Sequence, residues 1–299
     1  MTKIKQTCKG FLGILWKNKM KSLLALLGIF IIVVLSLFFY RQTHRPNPII
    51  YSTHCIAHGQ YINDSLPPNS MLLFRYLAEE KGYRFLELDV IFTSDDVPVL
   101  CHDWNICNIA VDKHGNPADV VVEQTTYREL CSYNFAKHPE IDEWHQINLF
   151  QEIVDYAKEK NLCLQVDIQK WWFSARQCKI LYDIVADADM LHSVVWELSE
   201  QNLKNFIRFS PFLIYQIDGK WSKEFLDSYW WLDYWSNQLI FLYQFHKESD
   251  MQDLNFKEMI EYGHKKGYLM MNAVVNDRFI ADSLFNQGVD LIDTGCLFD

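Results

Sequence analysis

Hydrophobic and polar positions along this 299-residue chain follow two alternating periods. Apolar runs of strand length and strand composition fall at residues 49–58, 84–92, 162–168, 192–198, 212–217, 239–245, 268–275 and 289–292. Between most of them lie amphipathic stretches with helical spacing, at 70–81, 149–160, 177–188, 201–209, 256–266 and 278–286. Strands alternating with helices predict a parallel sheet. Eight strands with no room for a second domain predict a closed (β/α)8 TIM barrel over residues 49–299 rather than an open sheet. The interval 104–148 breaks the rhythm; it is long, irregular and carries the turn His114-Gly115-Asn116-Pro117. It reads as an insertion in a strand-to-helix loop on the active-site face.

The N-terminus follows a different pattern. Residues 22–40 run without a charge, long enough to cross a bilayer, and are apolar on all sides. Lys17, Lys19 and Lys21 precede the run; Arg41 and Arg45 follow it. The stronger positive bias before it predicts a cytoplasmic segment 1–21, a transmembrane helix 22–40, a polar linker 41–48 and an extracytoplasmic barrel. A cleaved signal peptide is the competing reading; the run exceeds a usual signal core, and no A-x-A site follows.

Charge sharpens the division. Residues 1–45 carry six Lys and two Arg without an acid, a balance of +8. The remainder carries 20 basic residues against 38 acidic ones, a balance of −18. So acidic a body is a poor partner for nucleic acid and for tight adsorption to anionic lipid. Seven of the eight cysteines follow the apolar run, an odd number. Cys55, Cys101 and Cys163 sit within strand-like runs as small hydrophobes rather than as a disulfide framework.

The candidate chemistry gathers where strands end. Glu87 and Asp89 are two apart on one strand, so both point to the same face. Two buried carboxylates side by side are costly unless they share a cation or a proton. Oxygen-only ligands suit Mg²⁺ or Ca²⁺. Asp167 stands alone in another apolar strand as a third candidate metal ligand. His58, followed by the turn residue Gly59, closes the first strand; His102 emerges after 97–101 with Asp103 beside it. Two histidines flanking such a pair suit phosphodiester cleavage: one takes a proton from the attacking hydroxyl, the other gives one to the leaving alcohol. Asn69 is a candidate substrate contact or a helix N-cap, and Trp104 a candidate wall of the substrate site. The aromatic run 228–235 suggests a substrate wall, a membrane-facing patch or, in preference, a helix packed on the barrel.

His58-Gly59, Asn69-Ser70, Glu87-Leu88-Asp89-Val90, Thr93-Ser94-Asp95, His102-Asp103, Asp167-Ile168-Gln169 and Gly288-Val289-Asp290 together resemble the glycerophosphodiester phosphodiesterase family. Order and spacing agree from about residue 50 to 170, and beyond that the final strand agrees. The resemblance implies a phospholipase-C-like barrel that cleaves glycerophosphodiesters or related lipid-headgroup diesters to an alcohol and a phosphomonoester. It assigns acid/base roles to His58 and His102 and metal ligation to Glu87, Asp89 and Asp167. It further implies attack by the substrate's glycerol hydroxyl on phosphorus, then opening of a cyclic phosphate by water. Three positions depart from the family pattern: Gly59 follows His58 where Arg is usual, Asp167 replaces Glu, and Gln169 replaces Lys. The missing cations motivate a second reading, a weakened barrel that binds a phosphodiester or scaffolds a membrane complex. A metal-dependent amidohydrolase would need His-x-His on the first strand, and His54 and His58 are four apart.

Overall fold

A computed structural model describes residues 21–40, 45–60, 66–135, 144–168, 173–210, 212–244 and 255–295. The chain separates into two compact units, Met1–Arg45 and Pro46–Asp299. In the first, helix α1 (Lys21–Tyr40) is long and apolar enough to span a bilayer, a test that a signal sequence also passes.

The second unit is a closed barrel. Its parallel strands are β1 (Cys55–Ala57), β2 (Phe85–Phe92), β4 (Cys163–Ile168), β5 (Val194–Glu197), β6 (Ile214–Asp218), β7 (Gln238–Gln244), β8 (Leu269–Ala273) and β9 (Leu291–Thr294). β1 pairs with both β9 and β2, which closes the ring. A ninth strand, β3 (Pro98–Leu100), folds back antiparallel on β2 outside it. This hairpin brings His102 beside the end of β2: the Cys101 N–H donates to the Asp89 carbonyl.

Alternation along each strand sorts the core into two layers. Leu86, Leu88, Val166, Trp196, Tyr215 and Phe241 face outward into the helix-side core. Ile56, Phe85, Cys163, Val195, Ile214, Ile240, Met271 and Leu291 fill the interior toward the N-terminal end of the strands. The predicted first strand, 49–58, is shorter than expected. Its first half is the helical turn α2 (Ile49–Ser52), because Pro48 favours a helix start and Asn47 Oδ1 accepts the Ile49 N–H. That turn places Ile50 in the interior cluster, where it plugs the barrel floor.

The other predicted helices form between the strands: α3 (Met71–Arg75), continued by a π-turn (Tyr76–Glu80), α5 (Phe150–Lys160), α6 (Ala175–Asp187), α7 (Glu200–Ile207), α10 (Phe256–Lys265) and α11 (Arg278–Gln287). Ser70, Ser174, Ser199 and Asp277 cap four of them. The insertion after β3 carries the short helix α4 (Tyr127–Leu130) and a satellite core of Ile91, Val99, Ile106, Val122, Leu130 and Ile147. In the β6–β7 connection, α8 (Lys223–Ser228) is joined by α9 (Trp230–Asp233), which packs through Leu232; the packed-helix reading of 228–235 holds for the helix but not for Trp230, Trp231, Tyr234 and Trp235, which are exposed. The end of the predicted strand at Phe245, together with Gln169, His138 and His246, lies outside the described residues.

Phe85 is fully buried in the interior layer. Phe85→Ala should cost about 3–5 kcal/mol of stability, because a cavity remains inside a closed ring of strands. Urea unfolding followed by far-UV circular dichroism measures it; a loss below ~1 kcal/mol would place Phe85 outside a packed interior.

Candidate active site

The interior turns polar toward the C-terminal ends of the strands, the end at which barrels of this kind place their chemistry. Glu87 and Asp89 on β2, Gln165 and Asp167 on β4, Glu197 on β5, Gln216 and Asp218 on β6, and Asp293 on β9 share the inward face. The register sets this: Asp89 pairs with Asp167, Asp167 with Glu197, Glu197 with Gln216, and Asp293 with the interior residue Ile56.

Two hydrogen bonds orient the β2 carboxylates. The Gly59 N–H donates to Glu87 Oε2 (2.6 Å), and Asn69 Nδ2 donates to Asp89 Oδ2 (2.6 Å). Asn69 Oδ1 also accepts the Asp89 N–H (2.9 Å), so this side chain clamps the strand. Asn69 adopts φ 50°, a left-handed conformation that Asn tolerates. It is not the N-cap of α3; Ser70 Oγ accepts the Leu73 N–H and fills that role. A Cβ on residue 59 would meet Asn69 Oδ1 at 2.7 Å and the Glu87 carbonyl at 3.0 Å. Glycine after His58 is therefore a packing requirement of this site, and a larger residue there would displace the clamp.

Glu87, Asp89 and Asp167 each offer an oxygen within 4.8 Å of the others. The structure thus brings together the three predicted ligands. A second group, His58, Glu87 and Asp293, meets the same distance limit. Burial and then the neighbouring carboxylates push Glu87 well above the usual carboxylate range; Asp293 rises for the same reasons. Asp167 also rises, through burial and then Glu197. Glu197 is pushed up to about 8, chiefly by burial, although Gln165 Nε2 donates to it at 2.9 Å. Asp293 Oδ1 is buried without a hydrogen-bond partner. A hard divalent cation fits such an all-oxygen cluster, since it supplies the positive charge that the carboxylates lack.

The two histidines differ. His58 Nδ1 accepts the Gln60 N–H (3.1 Å), so the neutral ring carries its proton on Nε2. That nitrogen lies 3.8 Å from Asp293 Oδ2 and 3.9 Å from Glu87 Oε2. Burial, then the charge of His102, lowers His58 to about 4. His102 is half exposed, and its Nδ1 lies 2.8 Å from Asp103 Oδ1. A carboxylate only accepts, so Nδ1 carries the proton and Nε2 keeps a lone pair.

A cavity of about 450 Å³ opens beside His102, lined by Asn69, Arg75, Asp103, Tyr127 and Trp144 among others. A second, of about 720 Å³, runs from Asp167 past Glu197 and Asp218 to Tyr229 and Gln244. Trp104 is 52 % exposed and lines a shallow recess with His102 and Asp103. Asn272 faces away from the interior: its register partner Ile292 lies in the helix-side core, and its amide donates to the Tyr243 carbonyl. Sequence reasoning missed Glu197, Asp218 and Asp293. Each is an acid inside or at the end of an apolar strand, the same signal that marked Asp167. Asp293 was lost because the last strand was expected to stop at 292, and it runs to Thr294.

The sequence profile of the Glycerophosphoryl diester phosphodiesterase family matches residues 62–264. No curated protein sequence matches the chain. Among solved structures, a phosphodiesterase from Oleispira antarctica, in complex with the product sn-glycerol-3-phosphate, superposes with a TM-score of 0.66 at 18 % identity, covering 82 % of this chain and 95 % of the other. A glycerophosphodiester phosphodiesterase from Agrobacterium tumefaciens gives a TM-score of 0.62 at 15 % identity, covering 81 % and 95 %. One from Parabacteroides distasonis gives a TM-score of 0.62 at 19 % identity, covering 81 % and 92 %. These likenesses show the fold. The chain belongs to the Glycerophosphoryl diester phosphodiesterase family, a family of phosphoric diester hydrolases.

The raised carboxylates make a linkage prediction. Folded pKa values above the unfolded ones stabilise the cation-free barrel at low pH, and that stability is lost as pH rises through the folded values, about 8 for Glu197. In EDTA the melting temperature should therefore fall between pH 5 and pH 8. Mg²⁺ or Ca²⁺ should raise it more at pH 8, a hundredfold excess over Kd adding about 2.7 kcal/mol of stability. Differential scanning calorimetry of wild type and Asp167→Asn checks this; an equal cation effect in both proteins would remove Asp167 from the ligand set.

Proposed function

We propose that this chain is a membrane-anchored, divalent-metal-dependent phosphodiesterase that hydrolyses glycerophosphodiesters or related lipid-headgroup diesters. The observation that carries this is the single mouth that holds Glu87, Asp89 and Asp167 within 4.8 Å of one another, with His58 against Glu87. The sn-glycerol-3-phosphate in the Oleispira antarctica structure supports a glycerol phosphate arm in the substrate. When bound at Glu87, Asp89 and Asp167, Mg²⁺ or Ca²⁺ offsets charge developing on phosphoryl oxygens.

The acid/base roles follow from the hydrogen bonds of each ring. His102, with its Nε2 lone pair and its Nδ1–H held by Asp103, is the base that takes the proton of the attacking glycerol hydroxyl. His58 in its imidazolium form gives a proton from Nε2 to the leaving alcohol oxygen. The Gln60 N–H on Nδ1 favours the neutral ring, and an ionised Asp293 at 3.8 Å favours the cation. Ionised Asp293 is therefore the partner that makes His58 an acid. Attack on phosphorus forms a cyclic phosphate and expels the alcohol. Water then opens the ring with the roles reversed: His58 takes the proton of the water and His102 returns one to the glycerol oxygen.

Asn69 and Trp104 are the proposed substrate contacts, Asn69 on the wall of the 450 Å³ cavity and Trp104 in the separate recess that shares His102 and Asp103 with it. Arg75 lines the same cavity, a cation where the family's usual Arg and Lys are replaced. The α1 span, with Lys17, Lys19 and Lys21 before it, supports a cytoplasmic N-terminus and an extracytoplasmic barrel.

Release of the alcohol from glycerophosphodiesters with added Mg²⁺ or Ca²⁺ tests the reading. His58→Ala and His102→Ala should each lower kcat by about 10²–10⁴-fold. Equal background rates in wild type and both variants would favour instead a barrel that binds a diester without cleaving it, the reading that the missing Arg and Lys motivate. Asp293→Asn should lower kcat by roughly tenfold or more with little change in KM, because it acts through His58. A matching rise in KM with kcat intact would place Asp293 in binding.

A further inference from the structure

The β6–β7 connection ends in an aromatic cluster that the proposed chemistry does not use. Trp230 and Tyr234 are 69 % and 71 % exposed, and Trp231 and Trp235 are also exposed. Only Leu232 of α9 is buried, which fixes the helix to the barrel and leaves the rings outside. Four large aromatics side by side in solvent form a patch of the kind that marks an interaction surface.

The position of this patch identifies the partner. β7 begins at Gln238, so residues 230–237 approach the N-terminal ends of the strands, opposite the carboxylate mouth. Asn237 anchors them there: its N–H donates to the Leu213 carbonyl, and its Nδ2 to the Phe212 carbonyl, just ahead of β6. The Trp235 ring meets Phe212 edge-on at 6.3 Å. The chain enters the barrel on this same face. The Asn47 N–H donates to the His192 carbonyl and its Nδ2 to Ser193 Oγ, just ahead of β5, while the Tyr51 hydroxyl donates to Gln238 Oε1.

Tyr40, the last residue of α1, is seven residues before Asn47. The chain that follows α1 therefore enters the barrel beside the N-terminal ends of β5 and β7. Trp and Tyr are the residues that settle at the headgroup level, with an apolar ring and a polar edge.

We propose that Trp230, Trp231, Tyr234 and Trp235 form a lipid-docking patch that seats the N-terminal face of the barrel on the headgroup layer, with the carboxylate mouth turned toward water. The proposal rests on the membrane-spanning reading of α1. It also deepens the substrate assignment, since a mouth on the water side takes water-soluble diesters in preference to diesters still embedded in the bilayer.

The test uses the full chain reconstituted in phosphatidylcholine vesicles, with tryptophan emission quenched by brominated phosphatidylcholine. Of the ten tryptophans, Trp230, Trp231 and Trp235 are replaced by Phe together, and Trp104 and Trp144, exposed on the other face, in a second variant. Lipid-dependent quenching should fall by about half or more in the first variant and hold in the second. Hydrolysis of a water-soluble diester should be unchanged in the first. Quenching undiminished by the triple substitution, or quenching that disappears with Trp104 and Trp144, would overturn the docking. A cross-linked dimer through residue 230 with no lipid quenching would make the occupant a second copy, and overturn it too. Carbonate extraction separates the two layers of the argument. Release of the chain would remove the span and the docking with it; retention with unchanged quenching would remove the docking alone.

Discussion

The crowding of carboxylates inside the barrel mouth is the constraint on which the rest of the site depends. Glu87, Asp89, Asp167, Glu197 and Asp293 crowd one another where burial already raises the cost of their charge. Such a cluster persists only with protons, with a cation, or with both in exchange. The surrounding hydrogen bonds make sense against that demand. The Gly59 N–H and the Asn69 amide each donate to a carboxylate oxygen, which partly offsets the repulsion and fixes where the oxygens point. Asn69 can do this only in its left-handed conformation, and only because residue 59 has no Cβ. The turn after His58 and the carboxylates of β2 are therefore one unit. Any side chain in place of Gly59 would meet the Asn69 amide and the Glu87 carbonyl in this arrangement.

The same electrostatics separates the two histidines. His102 sits at the edge, where Asp103 sets its tautomer without displacing it from solvent. His58 sits deeper, between a backbone N–H on one nitrogen and two acids near the other. Its protonation is tied to whether those acids are ionised, and so to whatever neutralises Glu87. In the proposed mechanism, acid/base competence and cation occupancy form a single equilibrium, in which Asp293 is the link.

Much of this was legible in the sequence because periodicity reports burial directly. The β2 pattern put Glu87 and Asp89 on one inward face, and parallel register carried Asp167 to the same level. Strand and helix order followed from two periods that do not resemble each other. What was not legible depended on contacts distant in sequence. Residues 49–52 carry a strand-like composition, yet Pro48 and the Asn47 side chain start a helical turn that plugs the barrel floor. Asn69 has the chemistry of an N-cap, but Ser70 takes that place and frees Asn69 to reach Asp89 across 20 residues. Asp293 lies in a short apolar run whose end is set by pairing with β1, not by any local signal. Composition reports an excess of acid over base in the body but not that Arg75 lines the cavity beside His102.

The two ends of the barrel have been given opposite characters by one repeated rule. Inward residues near the N-terminal ends are Ile, Phe, Val, Leu and Met, and they close the floor around Ile50. Inward residues near the C-terminal ends are mostly acids and amides, with the Gln216 amide buried without a hydrogen-bond partner among the described residues. An apolar floor needs no ligand and tolerates being covered, so it is the end at which a tether and an aromatic patch can sit without disturbing the chemistry. A charged mouth needs water, a cation and room for a polar substrate, and it would lose all three against a bilayer. The entry of the chain beside β5 and β7 and the carboxylates at the far ends of those strands are thus consequences of a single polarity along the barrel axis.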